Sequence, residues 1–206
     1  MIRSYVKLRL KQDATPKIIP PRRIPYSRID LITKELQKWI NDKIIEPVED
    51  VRWANPLTPV FKSDGSLRLC ADFKNTINRA LEDFKYPIPR INDLIAKLSK
   101  GKKFIKIDFK SAFLQVPIHK ESRDFLTIST HKGYYRFARF PFGLKTSSAI
   151  FQQTMDNIFG DMKDVIFYID ELLITGDDDE AHLNNIKMVF DKISNGLIPN
   201  FTKSIF

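Results

Sequence analysis

The 206 residues, 43% hydrophobic and 12% aromatic, suffice for one large or two small domains with real cores and exclude a disordered tail. Thirty-four Lys and Arg against 25 Asp and Glu leave a net charge of +9, which selects polyanionic partners but says nothing of fold. The single cysteine, Cys70, excludes an internal disulfide framework and fits a reducing compartment. One cysteine and three scattered histidines (His119, His131, His182) argue against a structural zinc site, and no apolar run approaches the length of a membrane span.

Residues 1 to 26 are basic and marked by Pro16, Pro20, Pro21 and Pro25, which favours an extended lead-in. Residues 1 to 28 carry eight cations against Asp13 alone, yet a plain linker is the more economical reading than a nucleic-acid arm. The N-terminus is interrupted by charge too often for a signal peptide. Ser27-Arg28-Ile29-Asp30 has the form of a capping box, and Ile32, Leu36, Trp39 and Ile40 recur at helical spacing, which predicts a helix from about residue 28 to 44.

Two short apolar runs, Asn55 to Lys62 and Leu67 to Phe73, flank Asp64-Gly65 and predict a β-hairpin with Lys62 and Arg68 on either side of its loop. Taken alone this is a solvated basic hairpin; the same two cations also suit a triphosphate, Arg by its planar fork and Lys as a point charge. Tyr86 to Arg90 is a proline-punctuated turn, and Ile91, Leu94, Ile95 and Leu98 predict a short amphipathic helix. Phe104 to Ile107 is an apolar strand that ends in Asp108, and the stretch 109–118 is too broken for a long element. Gly133 to Phe140 alternates aromatic and basic residues, as a strand that faces both core and phosphate would.

Pro141-Phe142-Gly143-Leu144 is a loop running into a helix whose apolar face is Phe151, Met155, Ile158 and Phe159, and Gly143 lets backbone approach a ligand closely. Val165 to Ile174 then reads as a tight hairpin, two apolar arms with Asp170-Glu171 at the tip. Asp177 to Glu180 open a last helix with the stripe Leu183, Ile186, Phe190 and Ile193, ended by Gly196, and the start of one strand follows. The second half has the content of an α+β, ferredoxin-like antiparallel sheet with helices on one face, a layout that sets the Asp108 strand beside the Asp170 hairpin.

Singly, Asp170-Glu171 is a solvated turn and Asp108 a strand end. Together they are three hard oxygen donors whose repulsion and desolvation a divalent cation offsets, the constellation of two-metal phosphoryl transfer on magnesium.

Several ordered motifs resemble those of one family, the reverse transcriptases of gypsy-class LTR retrotransposon Pol polyproteins. Asp108-Phe109-Lys110-Ser111-Ala112-Phe113 with Gln115-Val116-Pro117-Ile118 is similar to its first catalytic motif. Arg139 to Leu144 before Ser148-Ala149-Ile150-Phe151-Gln152 is similar to its Pro-Phe-Gly-Leu motif, and Tyr168-Ile169-Asp170-Glu171 to Tyr-x-Asp-Asp. Asp64 to Phe73 and Tyr86 to Arg90 fit the fingers pattern. The resemblance runs from about Pro21 to the end.

The resemblance implies a right-hand polymerase of which this chain holds fingers and palm without thumb. Residues 1–26 would be the lead-in, 27–100 the fingers with the first palm helix, and 101–206 the palm, interrupted by a fingers insertion near 119–140 and truncated at its C-terminus. It implies RNA-directed DNA synthesis, with nucleotidyl transfer from a dNTP to a primer 3′-OH on an RNA or DNA template. Asp108, Asp170 and Glu171 would hold two Mg2+ ions, with Mn2+ as a substitute. Lys62 and Arg68 would hold the triphosphate, Phe113 would exclude a ribose 2′-OH, Phe142 and Gly143 would line the nucleotide pocket, and Lys203 would protonate the leaving pyrophosphate. It further implies an RNA template and DNA primer as partners, missing thumb, connection and ribonuclease H regions, no membrane, and a cytoplasmic setting such as a virus-like particle.

Glu171 departs from the family's second aspartate, and Ser204 from its usual cysteine. Since a misplacement on the order of 1 Å costs roughly a hundredfold in rate, the longer side chain implies impairment rather than loss. The competing expectations are an RNA- or heteroduplex-binding module held by phosphate contacts, and a relic without function.

Overall fold

The computed structural model describes residues 5–61, 65–98, 101–168, 170–194 and 196–206. In chain order the elements are α1 Tyr26–Asn41, β1 Ile45–Pro47, β2 Asn55–Phe61, β3 Leu67–Ala71, α2 Ile77–Ala80, α3 Ile91–Lys97 and β4 Ile105–Asp108. After a 3-10 turn at Ala112–Gln115 come α4 Lys120–Arg123, β5 Thr127–Thr130, β6 Gly133–Phe137, α5 Ser147–Phe159, β7 Val165–Tyr168, β8 Glu171–Ile174 and α6 Asp179–Ser194. They divide between two units, one built from residues 5–83 and 116–147, the other from 84–115 and 148–206.

The first unit holds a five-stranded sheet in the order β1-β6-β5-β2-β3, antiparallel except where β2 runs parallel to β5. Asn55, fully buried at that parallel join, donates from Nδ2 to the carbonyls of Phe125 and Thr127, and its Oδ1 accepts from the Thr76 hydroxyl. A buried amide is tolerable only when so satisfied. Helix α1 buries Ile32, Leu36 and Trp39, the last packed at 5.6 Å on Phe137 of β6.

Three sequence expectations are corrected in this unit. The capping box at Ser27 does not form: the helix already begins at Tyr26 behind Pro25, and no side chain caps it. Proline needs no amide partner and presets the dihedral at a helix start, so Pro25 sets the boundary ahead of Ser27. At the other end α1 stops at Asn41 rather than 44. The amides of Ile44 and Lys43 bond back to Trp39 and Ile40 with Lys43 at φ +54°, a Schellman closure achieved without the usual glycine. Finally, the basic lead-in is no free linker. Val6 bridges Ile118, Leu10 bridges Leu81 and Ile18 bridges Ala54, while Val6 and Leu8 are buried. Alternating apolar residues under the charged ones give that strap its core contact.

The second unit is a three-stranded antiparallel sheet, β4-β8-β7, with β8 central. Segment 198–205 returns along the free edge of β4: Lys106 and Ile205 exchange amide bonds, and the Lys110 amide donates to the Ile198 carbonyl. Counting that edge, strand order follows the split βαβ plan of a ferredoxin-like sheet. Pleating sends Val165, Phe167, Leu172, Ile174 and Ile107 to one face, all buried, where α5 supplies Phe151 and Phe159 against Phe167. Helix α6 joins α5 through Lys192, which donates to the Ile158 carbonyl. The opposite face carries Lys106, Asp108, Ile166, Tyr168, Glu171 and Leu173, and its far end is covered by Leu94 and Leu98 of the α3 segment.

The stripe of α6 is rotated from its expected position: His182, Val189 and Ile193 are buried and Leu183 is 53% exposed. Asp178 accepts the Ala181 amide as the cap, and the phase set there turns His182 inward in place of Leu183.

Candidate active site

The acid residues meet because of strand register. β4 ends at Asp108, whose Cα partner on β8 is Glu171, and Glu171 in turn faces Tyr168 on β7. That register closes the hairpin between Tyr168 and Glu171. Ile169 lies outside the described residues; the Asp170 amide donates to the Tyr168 carbonyl at 2.8 Å. Asp108, Asp170 and Glu171 therefore gather at one end of the sheet, with Glu171 as the first residue of β8 rather than at the tip that the sequence suggests.

Their surroundings differ. The Asp108 carboxylate accepts from Asn200 Nδ2 at 3.1 Å, and its backbone is held by the Asn200 amide (2.7 Å) and the Ser204 hydroxyl (3.2 Å). Ser204 thus performs a backbone-anchoring task. Asp170 sits at the exposed hairpin tip, yet loss of hydration and then the charges of Glu171 and Asp108 push its carboxyl above the ordinary aspartate range, against a downward pull from Lys203. Glu171 is committed elsewhere: its Oε1 lies 2.9 Å from Lys106 Nζ. The hydrogen bond from Lys106 and the charge of Glu171 hold the lysine above its usual range.

Phe113 lies in the 3-10 turn behind Ser111, which takes φ +50°, and its ring stacks at 4.4 Å on Phe151 of α5. Gln115 ties that turn to the C-terminal segment, donating to the carbonyls of Lys110 and Ile198 and accepting the Ile198 amide at 2.7 Å.

The remaining candidates belong to the other unit. Arg68 stands exposed on β3 opposite Val60, while Lys62 lies outside the described residues. Gly143 adopts φ +93°, and its carbonyl accepts from Asn78 Nδ2 at 2.9 Å while Asn78 Oδ1 accepts the Lys145 amide at 2.9 Å. Asn78 therefore clips the Pro141–Leu144 loop from both sides, with the half-buried Phe142 between. Asn78 and Asn200 are positioning residues that no spacing in the sequence singles out, since each acts on a partner more than 60 positions away.

Residues 60–206 match the family model described as reverse transcriptase (RNA-dependent DNA polymerase). The chain is 36% identical over 194 residues to the retrovirus-related Pol polyprotein from transposon 412 of Drosophila melanogaster, covering 90% of this chain and 15% of that one. It is 32% identical over 192 residues to the uncharacterized protein K02A2.6 of Caenorhabditis elegans, covering 92% of this chain and 15% of that one. Among solved structures, the foamy viral protease-reverse transcriptase in complex with RNA/DNA hybrid superposes with a TM-score of 0.84 at 18% identity, covering 94% of this chain and 26% of that one. The chain belongs to the reverse transcriptase family, with the fold of right-hand polymerase fingers and palm. It spans about 15% of the length of these curated relatives.

The family uses divalent metals. Asp108 and Asp170 fit such an ion: they are hard donors, and Asp170 carries an excess of neighbouring negative charge that a cation would offset. Glu171 differs, because its carboxylate is already paired with Lys106. Among the described residues no three His, Cys, Asp or Glu side chains are grouped to enclose a metal.

Proposed function

We propose that this chain is the fingers and palm of an RNA-directed DNA polymerase within a longer Pol polyprotein of a gypsy-class element, acting inside the cell. The unit with the five-stranded sheet is the fingers and that with β4-β8-β7 the palm. Its partners are an RNA or DNA template, a DNA primer and dNTPs, with thumb, connection and ribonuclease H supplied elsewhere in the polyprotein. The observation that carries this reading is the register Asp108 to Glu171 beside Asp170 in the turn of the β7-β8 hairpin.

Asp108 and Asp170 would hold two Mg2+ ions. The chemistry supplied by bound magnesium is activation of the primer 3′-hydroxyl and stabilisation of charge at the α-phosphate and leaving pyrophosphate. Asn200 orients the Asp108 carboxylate, and Lys203 delivers a proton to the departing pyrophosphate oxygen. Phe113, braced by Phe151, blocks a sugar 2′-hydroxyl. Arg68 and Lys62 grip the triphosphate, and the Phe142-Gly143 backbone, fixed by Asn78, lines the nucleotide pocket.

The test is magnesium-dependent primer extension on an RNA template by the chain joined to a thumb from a related enzyme. Extension that disappears in Asp170→Asn and Asp108→Asn supports the reading. Salt-sensitive RNA binding without extension in any form, Glu171→Asp included, replaces it with a binding module.

A further inference from the structure

Among the described residues, Glu171 is the one of the three acids at the end of the sheet with an ammonium in contact. Lys106 and Asp108 are two positions apart on β4, so they share a face, and the register of Asp108 with Glu171 makes Lys106 the diagonal cross-strand neighbour of Glu171. At that diagonal a long lysine and a glutamate meet, here at 2.9 Å. The pair is 31% and 44% exposed at its two side chains, whereas the Asp108 carboxylate accepts from Asn200 and Asp170 sits in the exposed turn. The extra methylene of Glu171 thus carries its carboxylate toward the lysine along the strand.

We infer that Lys106 is a positioning residue that holds Glu171 out of the metal centre, so that divalent cations bind on Asp108 and Asp170 and the third carboxylate is neutralised by the lysine. The inference rests on the metal-site reading above. It makes the glutamate a matched part of a lysine-glutamate pair.

The experiment is a titration of the full 206-residue chain with Mn2+ alone, free ion being counted by electron paramagnetic resonance, with thermal unfolding run on each variant. Removing the pair without changing net charge, Lys106→Met with Glu171→Gln, is expected to leave Mn2+ affinity within about threefold of the original, since a half-exposed pair deleted together barely alters the local field. Asp170→Asn is expected to weaken it about tenfold or more. A loss of about tenfold in the double variant, with the Asp170 dependence intact, makes Glu171 a ligand and overturns the inference alone. Equal Mn2+ affinity in Asp170→Asn overturns the metal-site reading, and this inference with it. Lys106→Thr with Glu171→Thr, a second neutral pair with strand-compatible side chains, must reproduce the first; disagreement between them also overturns the inference.

Discussion

Replacing Gly143 by alanine separates backbone strain from steric crowding in the loop that precedes α5. A Cβ there would meet nothing closer than Phe73 Cδ2 at 3.6 Å and the Ala71 carbonyl at 3.7 Å, both ordinary contacts. The cost is therefore that of holding an L-residue at φ +93°, about 1–2 kcal/mol. Alanine also narrows the unfolded ensemble, which returns about 0.4–1 kcal/mol, so the net loss is about 1 kcal/mol. Both tryptophans, Trp39 and Trp53, lie in the same unit as Gly143, so urea unfolding followed by tryptophan fluorescence reads that unit. Asn78→Ala removes the two bonds that pin the loop, and the double variant is expected to show a coupling of about 0.5–3 kcal/mol because both changes act on one segment. A loss above about 3 kcal/mol for Gly143→Ala would mean steric collision, and no loss would mean a loop free to leave positive φ; either refutes the argument.

Two further expectations concern stability. Phe167 is 3% exposed and meets the rings of Phe109, Phe151 and Phe159 at 6.0, 5.6 and 6.4 Å. Phe167→Ala is expected to cost about 3–5 kcal/mol, read as lost hydrogen-exchange protection in β7 and β8; full protection would show that the hairpin does not depend on this ring. Glu46 accepts from Arg136 at 2.7 Å and Arg123 at 3.2 Å. Burial pushes its carboxyl upward, but the two arginines outweigh it and leave it below the ordinary value near 4.5. A depressed folded pKa means stability present above that ordinary value and lost as pH falls through the folded one. The advantage over Glu46→Gln, about 1 kcal/mol or less for so accessible a group, should be full at pH 7 and shrink under acid; growth under acid would reverse the assignment.

Local pattern carried much of this protein. Two apolar runs flanking Asp170-Glu171 marked a hairpin with acid at its turn, although Glu171 proves to be the first residue of β8, and an apolar run ending in Asp108 placed a third acid at a strand end. The same locality made the β2–β3 hairpin and the faces of α1 and α5 legible. Where a boundary rested on one local signal among several, as at Ser27 beside Pro25 or at Lys43 without a glycine, the reading slipped by two or three residues. The lead-in looked like a linker because charge dominates its composition; only the sheet it docks on reveals that Val6 and Leu8 have somewhere to go. The rotation of α6 was likewise set by a cap and a packing partner, not by its own periodicity.

The chain by itself thus determined which residues are acidic, where they stand in their elements and in what order the motifs come. Tertiary structure decided which of those acids meets a lysine. Whether Glu171 faces a metal or a lysine depends on the register between β4 and β8, strands more than 60 residues apart, and a shift of one residue would send every side chain of β4 to the other face. Register is a property of two strands and their shared core, so no single stretch of sequence contains it.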